Sequence, residues 1–178
     1  MNSSPQQPCR GRSVHDCPEG PDGVEHLVAH LAEVVCPSMA VVCVGNELCG
    51  DDGVGVAIAS KLMRTVPWQV YDVRGVPENF LMKIVSRKPQ TVLVIDAMDF
   101  NAPPGSVELF PADRVAGQGP STHGPAPLAF LDLLRMLHPC RCAVLGIQPK
   151  RSSVGDGLSE PVVKAADIVI KALWAVAN

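Results

Sequence analysis

The sequence predicts a single α/β domain in which helices cover both faces of a mostly parallel five-stranded sheet. Three observations predict it. From Met39 onward, short β-branched apolar runs bounded by Gly and Pro alternate with longer segments of 3.6-residue periodicity. The chain has 178 residues, 47% of them hydrophobic, which is enough for one sizeable core and too little for two comfortable ones. The stretch AMDFNAPPG, between the third and fourth strand candidates, is too short for a helical crossover, so the fourth strand is expected to run antiparallel at an edge.

Residues 1–23 are rich in Pro, Ser, Gln and Gly and cannot bury enough apolar surface to offset the cost of ordering, so a flexible tail is expected. Cys9, His15 and Cys17 within it lack CxxC spacing and an obvious fourth ligand, and a plain tail is preferred to a zinc site. An extra N-terminal helix is expected over 24–37, with amphipathic residues 24–35 stopped by Pro37. His26 and His30 lie one turn apart on it, without the glutamate of an HExxH motif, and read as a polar flank. The domain proper occupies 39–178. Its strands are predicted at 40–45, 69–73, 91–96, 106–110 and 142–147, and its helices at 52–65, 78–87, 126–138 and 160–176. The last helix would open on Ser159 as N-cap, with Pro161 in its first turn. The sequence contains no internal repeat.

A net charge of −3 with scattered Lys and Arg gives no footprint for nucleic acid or an anionic membrane, so the expected partner is a protein or small molecule. Seven cysteines, some inside apolar runs (Cys43, Cys142), point to a reducing compartment. There is no apolar signal core and no uninterrupted apolar run of spanning length, so a soluble cytoplasmic protein is expected.

The first strand leads into CVGNELCGDDGVG, where two acids stand at a strand-to-helix junction of the kind that often cradles phosphate. The pattern is neither GxGxxG nor GxxxxGK[ST], and the acids would repel a phosphate. One acid suffices as a helix cap, a role that fits Asp51. Asp52 needs another reason, and Gly45, Gly50, Gly53 and Gly55 around it suggest sharp turning or close approach by another chain. Asp96 ends the apolar strand TVLVID and so stands at the carboxyl edge of the sheet, where open α/β folds bind ligands. The competing role, an Asx turn in the following loop, suits Asp99 better. If the first helix crosses on one side and the second returns on the other, the first and third strands are neighbours. Their carboxyl ends then lie about 5 Å apart, and Asp52 and Asp96 could share one crevice.

His123, in GPSTHG before an amphipathic helix, would complete a mixed oxygen and nitrogen set suited to nickel or zinc, or to acid-base work on water. His138 ends that helix, where the dipole favours a cation. A GxSxG elbow is absent, and Ser121 lies too near His123 for an ordinary triad. Cys49 stays open as a nucleophile, since a reactive thiol is identified by its surroundings.

VGNELCGDDGVG, VIDAMDF with PPGSVELF, and STHGPAPLAFLDLL resemble the three diagnostic blocks of the [NiFe]-hydrogenase maturation peptidases. RGVPENF and LGIQPKRSSVGDGLSEPV are similar to those of the subgroup that processes the large subunit of formate-linked hydrogenases. The resemblance runs in order from about Met39 to Ala175. It implies a three-layer fold with a twisted five-stranded sheet between helices. It also implies an aspartic-type endopeptidase that removes a short C-terminal extension from the nickel-loaded large-subunit precursor. The nickel would be carried by the substrate and bound by Asp52, Asp96 and His123, with Asp52 or Asp96 assisting water attack. Glu78 in PENF is either a substrate contact or a helix N-terminal acid. The alternative is a non-catalytic metal-sensing or chaperone-like module that recognises the nickel-loaded partner without cutting it.

Overall fold

A computed structural model describes residues 21–112 and 126–178. Strands β1 (Met39–Val44), β2 (Gln69–Arg74), β3 (Thr91–Ala97), β4 (Val107–Pro111) and β5 (Arg141–Ile147) form one sheet in the order β2-β1-β3-β5-β4. Neighbours are parallel except β4, which runs antiparallel to β5 at the edge. The short link 98–106 after β3 leaves that strand no other course.

β1 and β3 are buried along their whole length, as interior parallel strands covered on both faces must be. β2, at the other edge, mixes exposed and buried positions. Because successive side chains point to opposite faces, the strands divide the core in two. On one side Val41, Cys43, Leu93, Ile95, Leu145 and Ile147 pack beneath α1 (Pro21–Leu31), α2 (Val54–Leu62) and α5 (Glu160–Ala177). On the other Ala40, Val42, Val92, Val94 and Val144 meet α3 (Leu81–Val85) and α4 (Ala126–Leu137). The expected three layers are present. α5 shows how sequence selects such a layer: Val162, Ala165, Ala166, Val169 and Leu173 recur at helical spacing and are all buried.

Three elements differ from expectation. α1 starts at Pro21, inside the stretch expected to be tail, and ends at Leu31. A proline suits a first helical turn because the N–H it lacks would have no partner there. The segment expected as one helix over 52–65 divides into a 3₁₀ turn, Gly50–Gly53, and α2; likewise 78–87 divides into a 3₁₀ turn, Pro77–Phe80, and α3. Leu27 and Leu31 are buried where α1 lies on α5, so the extra helix belongs to the core. Cys43 and Cys142 are buried thiols, and burial pushes the Cys43 thiol far up, keeping it a protonated hydrophobe. No described helix is long and apolar enough to cross a membrane. The expected tail, with Cys9, His15 and Cys17, lies outside the described residues except for its last three, as do Ser121 and His123.

Candidate active site

The chain leaves β1 through Gly45 and closes a tight turn. Asn46 N donates to Asp52 O (3.0 Å), Cys49 N to Asn46 O (3.0 Å), Asp52 N to Cys49 O (3.2 Å) and Leu48 N to Asn46 Oδ1 (3.1 Å). The 3₁₀ turn then delivers the acid doublet into α2. The glycines answer the question their spacing raised: what approaches closely is the chain's own backbone. A Cβ at Gly45 would stand 2.5 Å from Asp52 O, and one at Gly55 would stand 1.9 Å from Val44 O.

The two acids do different work. Asp51 is fully buried, and it is not a helix cap; the turn and α2 have no side-chain cap bond at all. Its Oδ2 accepts from Lys150 N (2.8 Å), Arg151 N (3.0 Å) and Ser159 Oγ (2.8 Å), and its Oδ1 accepts from Ser159 N (2.5 Å). Burial alone would raise its pKa, but these donors outweigh it and hold the carboxyl below the usual range. Ser159 does occupy the N-cap position of α5 with extended backbone, yet its hydroxyl serves Asp51 and makes no cap bond.

Asp52 is 6% exposed and lines a cleft of about 360 Å³. Asn46 and Cys49 come from the same turn, Arg74 and Gly75 from the end of β2, and Ser152 from the loop after β5. Arg74 has φ +52° and pairs with Glu47 at 2.6 Å and Asp72 at 3.5 Å, so a braced cation stands on the cleft wall. Cys49 shares this wall, its sulfur accepting from Asn46 Nδ2 at 3.2 Å. Glu78 is exposed in the 3₁₀ turn shortly beyond Gly75.

Asp96 is fully buried near the end of β3, opposite Gly146 of β5. β1 and β3 are neighbours, as the topology argument required, and the 3₁₀ turn bearing Asp52 packs against β3. The 360 Å³ cleft takes in Asp52 and not Asp96. His123 lies outside the described residues, and among those described no group of three or more His, Cys, Asp or Glu is placed to hold a metal ion. Asp99 makes the Asx turn expected of it, accepting from Asn101 N at 3.2 Å. His138 bonds the Pro89 carbonyl through Nε2 at 2.9 Å, before β3 and far from the carboxyl edge. His30 bonds the His26 carbonyl on the exposed flank of α1.

Sequence reasoning missed Arg74, Asn46 and Ser152. Arg74 ends one parallel strand, and Asn46 and Ser152 lie in the loops that follow two others, and that placing at the carboxyl edge was the available signal. Asp52, on the wall of a cleft that also carries a cation, can bind a metal cation or accept a proton from water, and Asp96 stands buried on the strand that its turn touches.

A family model described as hydrogenase maturation protease, HycI, matches residues 56–176, a span that holds Asp96 and His123 and begins just after Asp52. The hydrogenase 3 maturation protease of Escherichia coli K12 is 30% identical over 135 residues, covering 75% of this chain and 86% of the relative. The solution structure of the endopeptidase HycI from Escherichia coli is similar at 29% identity and a TM-score of 0.70, over 79% of this chain and 92% of that one. The crystal structure of the [NiFe] hydrogenase maturation protease HycI from Thermococcus kodakarensis has the same fold, with a TM-score of 0.76 at 22% identity over 83% and 98% of the two chains.

Proposed function

The chain belongs to the hydrogenase maturation protease family, and from that premise we propose that it is the cytoplasmic endopeptidase that removes a short C-terminal extension from a nickel-loaded [NiFe]-hydrogenase large-subunit precursor. One observation carries the reading: Asp52 lines the cleft from a turn that packs directly on β3, the strand that bears Asp96. In this reading the nickel is part of the substrate. It arrives in the precursor and docks against Asp52, Asp96 and His123, adding binding energy that a nickel-free precursor cannot supply. Docking sets the scissile peptide in the cleft beside Asp52. A carboxylate, Asp52 or Asp96, takes a proton from the water that attacks the peptide carbonyl. The same proton then goes to the departing amine as the C–N bond breaks, which is the sense in which the enzyme is aspartic-type.

The test mixes the purified protein with nickel-loaded and nickel-free precursor and follows the C-terminus by mass spectrometry. The expected result is cleavage of the loaded form alone. Equal cleavage of both overturns the gating role of nickel, and cleavage of neither overturns the peptidase in favour of a recognition module. Asp52→Ala and Asp96→Ala should each slow cleavage by about 100-fold or more.

A further inference from the structure

The loop 148–159 joins β5 to α5 and brings Ser152 to the cleft wall. Backbone bonds stitch it to the acidic turn: Asp51 N to Arg151 O (3.0 Å), Gly50 N to Asp156 O (3.1 Å) and Gly155 N to Leu48 O (2.9 Å). The Asp51 carboxylate adds its bonds from Lys150, Arg151 and Ser159, all of them donors at the two ends of this loop. The turn itself closes through Asn46, Cys49 and Asp52, and none of those bonds uses the Asp51 carboxylate. Loss of that carboxylate therefore loosens the two ends of the loop, at Lys150, Arg151 and Ser159, while the three backbone stitches remain and Asp52 stays on its turn. The stitched pair also carries two exposed apolar side chains, Leu48 at 67% and Val154 at 82%, on segments joined by the Gly155 to Leu48 bond. Exposed apolar groups on the segments that flank the cleft suit an extended peptide with an apolar side chain.

We propose that Asp51 is a positioning residue for substrate binding: it holds the loop that brings Ser152 to the cleft wall and Val154 close by, and an extended, partly apolar segment of the protein substrate lies against this loop beside Asp52. The substrate half of this inference rests on the peptidase reading. The staple rests on geometry alone, and the two are separable.

The experiment compares the full chain with its Asp51→Asn and Ser159→Ala variants by residue-resolved amide exchange and by cleavage kinetics on the nickel-loaded precursor. Exchange at Lys150, Arg151 and Ser159 should rise by about tenfold or more in Asp51→Asn, while the amides of Asn46, Cys49 and Asp52 keep their protection. KM should rise by about tenfold with kcat within about threefold. Exchange that is unchanged in the loop, or that spreads equally to the turn, overturns the staple. A fall in kcat at constant KM overturns the binding role. If the unaltered protein does not cleave, the peptidase reading fails, and the exchange comparison still decides the staple. If Asp51→Asn does not fold, Ser159→Ala removes only one donor, and the same comparison decides at smaller amplitude.

Discussion

Gly55 stands in the first turn of α2, facing the end of β1. A methyl group added there would meet Val44 O at 1.9 Å, Val44 C at 2.8 Å and Val44 N at 3.0 Å. All three are backbone atoms of a fully buried strand, so no rotamer change relieves the overlap. To regain ordinary contact the helix must retreat from the sheet by about 1.5 Å, and α5 packs on α2 as well. Two effects oppose each other in Gly55→Ala. Helix propensity favours alanine by about 1 kcal/mol, whereas overpacking costs about 1–3 kcal/mol and occasionally more. With backbone as the obstacle the upper end applies, so a net loss of about 2 kcal/mol is expected. In a chain of this size that lowers the melting temperature by roughly 4–8 °C. The retreating helix also drags Asp52, whose carbonyl lies against Gly45, and a displacement of about 1 Å can cost on the order of 100-fold in rate. Thermal unfolding and cleavage kinetics on one preparation measure both. A variant as stable as the parent, or more stable, would refute the reasoning, because propensity alone predicts that outcome.

Asp51 carries a depressed pKa in the folded state, so its stabilisation is complete above its unfolded value of about 3.9 and fades as pH falls through the lower folded value. Urea midpoints of the parent and Asp51→Asn should accordingly differ by a constant amount from pH 7 to about 5 and converge below about pH 4; parallel curves throughout would contradict it. A double-mutant cycle of Asp51→Asn with Ser159→Ala should give a coupling of about 1 kcal/mol or more, whereas a simple N-cap at Ser159 would give none. Leu31→Ala should cost about 2–5 kcal/mol by leaving a cavity where α1 meets α5, and a loss below about 1 kcal/mol would show that α1 is not part of the core. Arg74→Ala should leave the melting temperature unchanged, since its pair with Glu47 is half exposed and screened, while raising KM; an unaltered KM removes Arg74 from the cleft's function.

The parts of this fold that are legible in the sequence are those set by local pattern. β1 and β3 stand out because strands buried on both faces must be apolar at every position, and the antiparallel β4 because its connection is too short to cross over. The adjacency of β1 and β3 follows from topology, and with it the placing of Asp52 and Asp96 on touching elements. What the sequence concealed depends on partners far along the chain. Asp51 looks like a cap because a carboxylate at a helix start usually is one; its donors lie in a loop that no periodicity marks. Arg74 is hidden for a related reason, since its φ of +52° and its pairing with Glu47 belong to the packed carboxyl edge and not to the strand that carries it.

The distance along the chain between Asp51 and its donors also sets an order of events during synthesis. Lys150 follows it by 99 residues and Ser159 by 108. At about 5–20 residues per second the acid doublet is made roughly 5–20 s before the residues that anchor it. Until then the nascent chain holds Asp51 without any of the donors that satisfy its carboxylate. A chain stalled or clipped before Lys150 keeps both acids but lacks Ser152 and every donor to the Asp51 carboxylate, so the first turn is anchored only when the last loop and helix close over it.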